Sequence, residues 1–474
     1  MSILDNNSYD EEPEDEQSRQ ARLDEELRKL KEQMKDGSSG IANAEALEEI
    51  VAYYFEHERY EEALHFVNQL LVLAPYSADA WLRKGLILSN LSRQPEALDC
   101  YDQALGFNPV DAETLINRGI ALDDTGRNEE ALESFERALQ IDPSSEDALF
   151  NKAICLEKTG RHEEAAGIFR YILEGNPGHR DAWYELGYCQ DVLDRPEESL
   201  RCYDEHLRID PYNHNAWYNR GIVLNKMARY ARALESYDTA LAIQESFPAA
   251  WYNKGNAYAN MGRLHDAVAC YRETLRLDPR DVPAWHNLGN AYEELREYEE
   301  AAQCFTHALR IDPQHYESYF GRGSCFDSLG QPRRALADFN KALSLCRDYP
   351  DLWYAKADLL YNLGRVRESL AAYRMVTRLD PHNHEAWIDL GETLLELGQA
   401  RQSLKAFDKS LELHPSCADA QYCRAKALLV LSRPDEAVEA LRIAFQIDPA
   451  KKKTFEREFP GLSTLGEFAQ LLGG

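Results

Sequence analysis

The chain has no run of eighteen apolar residues, so nothing in its 474 residues reads as a membrane-spanning helix. Its N-terminus is acidic and lacks an apolar core segment, so no secretory signal is expected. Cations are scarce: 53 Lys and Arg against 82 Asp and Glu leave a net charge of −29. That balance argues against nucleic-acid phosphates and anionic membrane surfaces and mildly favours basic partners. Acidity on this scale also keeps a long, open molecule in solution. Closely spaced cysteine pairs are missing as well. Cys100, Cys202, Cys270 and Cys304 fall on one repeat position and Cys155, Cys189 and Cys325 on another, without the short spacing of a zinc or redox motif. They read as small buried thiols in a reducing compartment, the cytoplasm. There is no phosphate-cradling glycine loop, zinc-protease helix or nucleophile elbow. His382 and His384, which flank Asn383, read as solvated loop residues. No catalytic residue, cofactor or metal is therefore expected.

What the chain does have is a period. Pro75, Pro109, Pro143, Pro177 and Pro211 stand 34 residues apart, and the frame continues through Pro279, Pro313, Pro381, Pro415 and Pro449. Where it skips, at Glu245 and Arg347, a proline follows three residues later as Pro248 or Pro350. The break has moved from the end of one helix to the first turn of the next, where proline loses no hydrogen bond. With that proline as position 32, twelve repeats run from Ala44 to Lys451, and all seven Trp fall on position 4. Position 8 is Gly in eight repeats, position 20 is only Ala or Ser, and position 24 is aromatic in ten. Small residues at 8 and 20 let two antiparallel helices approach, while large ones at 4 and 24 fill the wedge towards neighbours. Trp at position 4 is expected to be buried, as an anchor of several kcal/mol. A single pair cannot cover its own apolar face, so the repeats must stack.

The run Ala250-Trp251-Tyr252-Asn253-Lys254-Gly255-Asn256-Ala257-Tyr258, followed by Gly262, Ala267, Tyr271 and Pro279, resembles the tetratricopeptide repeat. The resemblance covers roughly residues 44–451. It implies an all-α fold, a right-handed superhelix of helix pairs whose first helices line a concave groove. Residues 1–43 read as an acidic disordered stretch, an amphipathic helix over 17–35 carrying Leu23, Leu27, Leu30 and Met34, and a joint at Gly37-Ser38-Ser39-Gly40. That helix has three uses open to it: covering the first repeat, pairing with another copy, or fraying alone. Residues 452–474, with Phe455, Phe459, Leu462, Leu465, Phe468 and Leu471, read as a cap of one or two short helices.

The resemblance implies groove positions 2, 5, 6, 9, 12 and 13. Position 2 is acidic in nine repeats, which suits a basic peptide but equally suits the first turn of any helix. Repeats six to eight depart from this with Asn215, Ala249 and Pro283. The same window places Tyr218, Tyr252 and His286 at position 5, Asn219, Asn253 and Asn287 at position 6, and Asn256 and Asn290 at position 9. Amides both donate and accept, so such a row suits an extended peptide backbone, with aromatic neighbours adding apolar contact. The arrangement is similar to the asparagine ladder in the repeats of O-linked N-acetylglucosamine transferases; Tyr and Asn are also common at these positions of the repeat. Chaperone-adaptor members clamp a carboxylate with Lys at 5 and a basic residue at 2. Here position 5 is never Lys and position 2 never basic. The expected function is a non-catalytic scaffold or adaptor binding an extended segment of a protein partner. The alternative is a substrate-recruiting regulatory subunit of a separately encoded enzyme. Oligomeric state stays open.

Overall fold

The computed structural model describes residues 42–462 and 466–473. The expected helix over 17–35 and its Gly/Ser joint lie outside the described residues. The fold is all-α, a succession of helix pairs without a strand among the described residues. Repeat seven shows the unit: a first helix, Pro248–Asn260, and a second, Leu264–Leu277. The chain divides into two compact units between Arg229 and Tyr230, inside repeat six. The first ends with the helix His214–Lys226 and the second begins with Tyr230–Ile243. Within each unit, every helix packs on its neighbours in chain order, and first helices also touch the first helix of the next repeat. No described helix is long and apolar enough to cross a membrane.

Local chemistry sets the helix ends. At position 34 the side chains of Ser77, Asp111, Ser145, His179, Asn213, Asp281, His315 and Asn383 each accept from a backbone N–H in the first turn of the following helix. Position 15, the turn within each repeat, takes a positive φ in all twelve repeats. Six of these residues are Gly, such as Gly262 at 72°, and six are not, such as Arg296 at 61°. The turn is demanded by the pairing of the helices strongly enough to hold L-residues in the left-handed region.

The core runs along position 24, where the ten aromatic side chains are between 0 and 3% exposed. A Cβ added at Gly255 would stand 2.6 Å from Cε1 of Tyr271, so position 8 is small because the ring occupies that space. The tryptophans at position 4 behave differently from expectation. All seven are half-buried, not core. Each indole N–H donates back across the inter-repeat turn to the carbonyl at position 32, from 2.8 Å (Trp353 to Arg347) to 3.3 Å (Trp251 to Glu245). Because the acceptor is a backbone oxygen, the bond survives where the proline is absent. Trp therefore bolts successive repeats at their outer edge, and its polar N–H keeps it near the surface. At the end of the chain, Ala450–Glu458 and Gly466–Gly473 form two short helices, the first beginning inside the last repeat. Phe455 and Phe468 are buried there, their rings stacked at 5.8 Å.

Candidate peptide-binding faces

Of the eight groove residues read from the sequence, Tyr218 and Asn219 belong to the first unit and the other six to the second. All eight are partly buried. In the second unit the structure joins Tyr252, Asn256 and Asn287. The Asn287 amide donates to Tyr252 Oη at 2.9 Å and to Asn256 Oδ1 at 3.0 Å, and Tyr271 Oη donates to the same Oδ1 at 2.8 Å. Both amide hydrogens of Asn287 are thus spent inside the fold. The asparagine row is half structural. The same link, position 6 of one repeat to position 5 of the one before, recurs as Asn219 to Tyr184 at 2.9 Å in the first unit and as Tyr354 Oη to Asp389 in the second.

His286 departs further from an exposed aromatic contact. Its Nε2 accepts from the Asn290 amide at 3.1 Å, so Nδ1 carries the hydrogen and donates to Ser318 Oγ at 3.1 Å. Ser318 in turn lies 2.9 Å from Nδ1 of His315. Burial, and then the neighbouring His315, push the His286 pKa down to about 4, so the ring is neutral. It orders two successive first helices, Val282–Glu294 and Tyr316–Ser328.

Further along the second unit, four carboxylates on first helices stand without a cation, whereas Glu392 has Lys426 at 3.7 Å and Asp419 pairs with Lys451. Burial lifts Glu293 to about 7, with Glu294 adding to the effect. It lifts Asp389 to about 6, with a contribution from Asp358, whose own pKa is raised by burial and by Asp327. Asp327 thus acts on Asp358, and Asp358 on Asp389, across repeats nine, ten and eleven. Tyr373 donates to Asp358 and Tyr354 to Asp389. Among the described residues none of these four carboxylates has a salt-bridge partner within 4.0 Å. The first unit is mixed: Lys158 pairs with Asp123 at 2.5 Å and Lys226 with Asp191 at 2.7 Å, while Glu157 and Glu185 have no cation paired with them among the described residues. Glu185 there is pushed to about 7 by burial, with Glu157 and Asp181 adding to it.

One feature of the first unit escaped the sequence reading. A cavity of about 290 Å³ opens between the first helices of the first three repeats, its lining including Phe55, Leu82 and Leu86 and the charged Glu56, Asp79, Arg83 and Glu113. Its signal was present, since Phe55, Leu82 and Leu86 are apolar side chains on positions 12, 5 and 9.

Residues 49–112 and 116–179 match a tetratricopeptide-repeat model. Residues 223–457 match the model of the C-terminal domain of cilia and flagella-associated protein 70, itself a tetratricopeptide-repeat domain. The chain is a tetratricopeptide-repeat protein. A further stretch of this repeat protein, 196–227, matches the repeat of the protein prenyltransferase alpha subunit. No curated protein matches the repeat array. Among solved structures it is similar to the APC/C hetero-tetramer Cut9-Hcn1, at 15% identity and a TM-score of 0.41 over 93% of this chain and 97% of that one. It is similar to YrrB, described as a TPR protein with an unusual peptide-binding site, at 25% identity and a TM-score of 0.35 over 40% and 96%. A tetratricopeptide repeat protein from Parabacteroides merdae ATCC 43184 gives 20% identity and 0.41 over 50% and 93%. An array of such repeats is a protein-interaction scaffold.

Proposed function

We propose that this repeat protein is a non-catalytic adaptor that holds an extended, basic segment of a partner protein along the first helices of its second unit. The carrying observation is the set of Glu293, Asp358 and Asp389, half-buried without cations, with the exposed Asp327 beside Asp358. A carboxylate so placed is costly to ionise, and a Lys or Arg from a ligand supplies the missing counter-charge. Tyr252, Asn253, Asn256, Asn287 and Asn290 lie at the start of the same unit, where the polar atoms not used in bracing the repeats meet the peptide backbone. In the first unit, Tyr218 and Asn219 repeat the motif, and the cavity at Phe55, Leu82 and Leu86 suits an apolar side chain. Ten cysteines, all free thiols, fit a reducing compartment, which we take to be the cytoplasm.

The second reading, a recruiting subunit of a separately encoded enzyme, uses the same faces and differs only in what the partner does. Affinity capture from the native cell separates the two. Changing Tyr218, Tyr252, Asn253 and Asn287 together to Ala is expected to abolish capture with helicity unchanged. Undiminished capture removes that window from the site. A catalytic chain recovered in equal amount, whose activity changes when this protein is removed, favours the recruiting subunit.

A further inference from the structure

The turn between repeats eleven and twelve departs from the others at its helix cap and in a pair of histidines beside it. Position 34 caps the next helix with a side-chain acceptor in eight repeats. Phe247 and Tyr349, which do not, are each followed by a proline at the helix start. Cys417 has neither: its thiol makes no cap bond and Ala418 follows it. In repeats four and five, positions 1 and 31 meet through complementary polar groups. Asn176 donates to Glu146 at 2.9 Å, and Arg180 reaches Asp210 at 3.5 Å. In repeat eleven the two positions hold His384 and His414, stacked with ring centroids 4.8 Å apart and planes 17° from parallel. Stacking satisfies neither ring's nitrogens, and Nδ1 of His384 is buried without a partner.

The three side chains converge: one ligand atom from each of His384, His414 and Cys417 lies within 4.8 Å of the others. We propose that these residues bind a single zinc ion, or a divalent metal of similar softness, with a fourth coordination position open to water or to a partner's side chain. Two imidazoles and a thiolate are the donors such a metal prefers. Bond lengths of about 2.0–2.1 Å to nitrogen and about 2.3 Å to sulfur put ligand atoms roughly 3.3–3.7 Å apart in a tetrahedral site. Closing from 4.8 Å takes a rotation of His414, the exposed member, out of the stack. The thiol proton leaves to solvent as the sulfur binds. The bound ion ties the start of the helix His384–Glu396 to the start of the helix Ala418–Val430, two elements of one unit. Sequence spacing concealed the set because His384 lies thirty residues before His414. His384 itself, read there as solvated, is half-buried.

Two substitutions test the site without threatening the fold. Cys417→Ser restores the capping residue of Ser77 and Ser145. His414→Asp restores the residue that six other repeats carry at position 31. The full chain is stripped with a chelator and titrated with Co²⁺, then Zn²⁺. Wild type is expected to take up one Co²⁺, showing the visible absorption of tetrahedral cobalt and a sulfur-to-cobalt charge-transfer band, both bleached by Zn²⁺. Cys417→Ser loses the charge-transfer band, the double variant loses both signals, and Cys346→Ser, altering the other half-buried thiol, changes neither. Bands that persist in the double variant, or a wild-type chain that takes up no cobalt, overturn the proposal. Circular dichroism confirms that each variant remains helical.

Discussion

Replacing Gly321 by Ala sets a gain in helix propensity against a steric loss, and the ring of Phe305 decides between them. Phe305 is fully buried and lies between two glycines: a Cβ on Gly289 would stand 2.7 Å from its Cε1 and one on Gly321 2.5 Å from its Cζ. Position 8 alone tolerates a methyl, since Ala153 and Ala357 occupy it in repeats four and ten opposite Phe169 and Tyr373. At Phe305 the ring is confined on both sides, so neither helix can move away without losing the other contact. Ala is better than Gly in a helix interior by about 0.8–1.0 kcal/mol. Forcing a methyl against a fixed ring costs about 1–3 kcal/mol, so Gly321→Ala is expected to be neutral to destabilising by up to about 2 kcal/mol. In a Phe305→Leu background the ring edge is gone and the same change becomes stabilising by up to about 1 kcal/mol. The two sites are then coupled by about 1–3 kcal/mol. Repeat arrays do not unfold as one two-state unit, so the reading is local. Amide exchange in Tyr316–Ser328 and Val282–Glu294 reports it directly. Protection that rises by the same amount in both backgrounds refutes the packing account.

Three further outcomes follow from particular side chains. Arg322 and Asp338 form a two-bond ion pair at 2.7 and 2.9 Å with little exposure; Asp338→Ala leaves the guanidinium unpaired and should cost about 3 kcal/mol, read as lost amide protection in Pro332–Leu345. Glu293 is held near 7 against an ordinary 4.5, so the folded chain binds more protons than the unfolded one between those values. Its contribution to stability therefore falls as pH rises from about 4.5 through about 7, and Glu293→Gln should flatten that part of the thermal stability profile. His286, with its pKa near 4 against 6.5, contributes the opposite slope, with stability lost as pH falls through that interval. Its imidazole should appear in NMR spectra as the neutral Nδ1–H form above about pH 5, and a ring that titrates at its ordinary value would contradict the Asn290–His286–Ser318 chain.

Much of this fold is legible in the sequence because the repeat writes each packing rule twelve times. Pro75 to Pro449 set the frame, and Gly255 with Tyr271 shows why one position is small and another aromatic. Trp251 was harder to read, because apolar size predicts burial while the indole N–H, which needs an acceptor, holds the ring at the edge. Arg296 and Ser432 show a similar limit: a left-handed turn is demanded by helix pairing, and its residue need not be glycine. The candidate faces were less legible than the fold. Asn287 can face a ligand or brace the repeat before it, and only its distances to Tyr252 and Asn256 show that its donors brace. Asp327, Asp358 and Asp389 sit on three different positions of three repeats, so no column of the repeat reveals that they influence one another.

The central claim, that the second unit holds an extended basic segment, is tested most directly by selecting a random peptide library on the full chain and measuring the winners' affinity against pH. Enriched peptides are expected to carry Lys or Arg. They should bind more tightly as pH rises from about 6 to about 8 and the raised carboxylates ionise. Binding should weaken with salt, and the Asp358→Asn, Asp389→Asn variant should lose it. Winners without basic residues, or an affinity indifferent to pH and to that variant, would contradict the account.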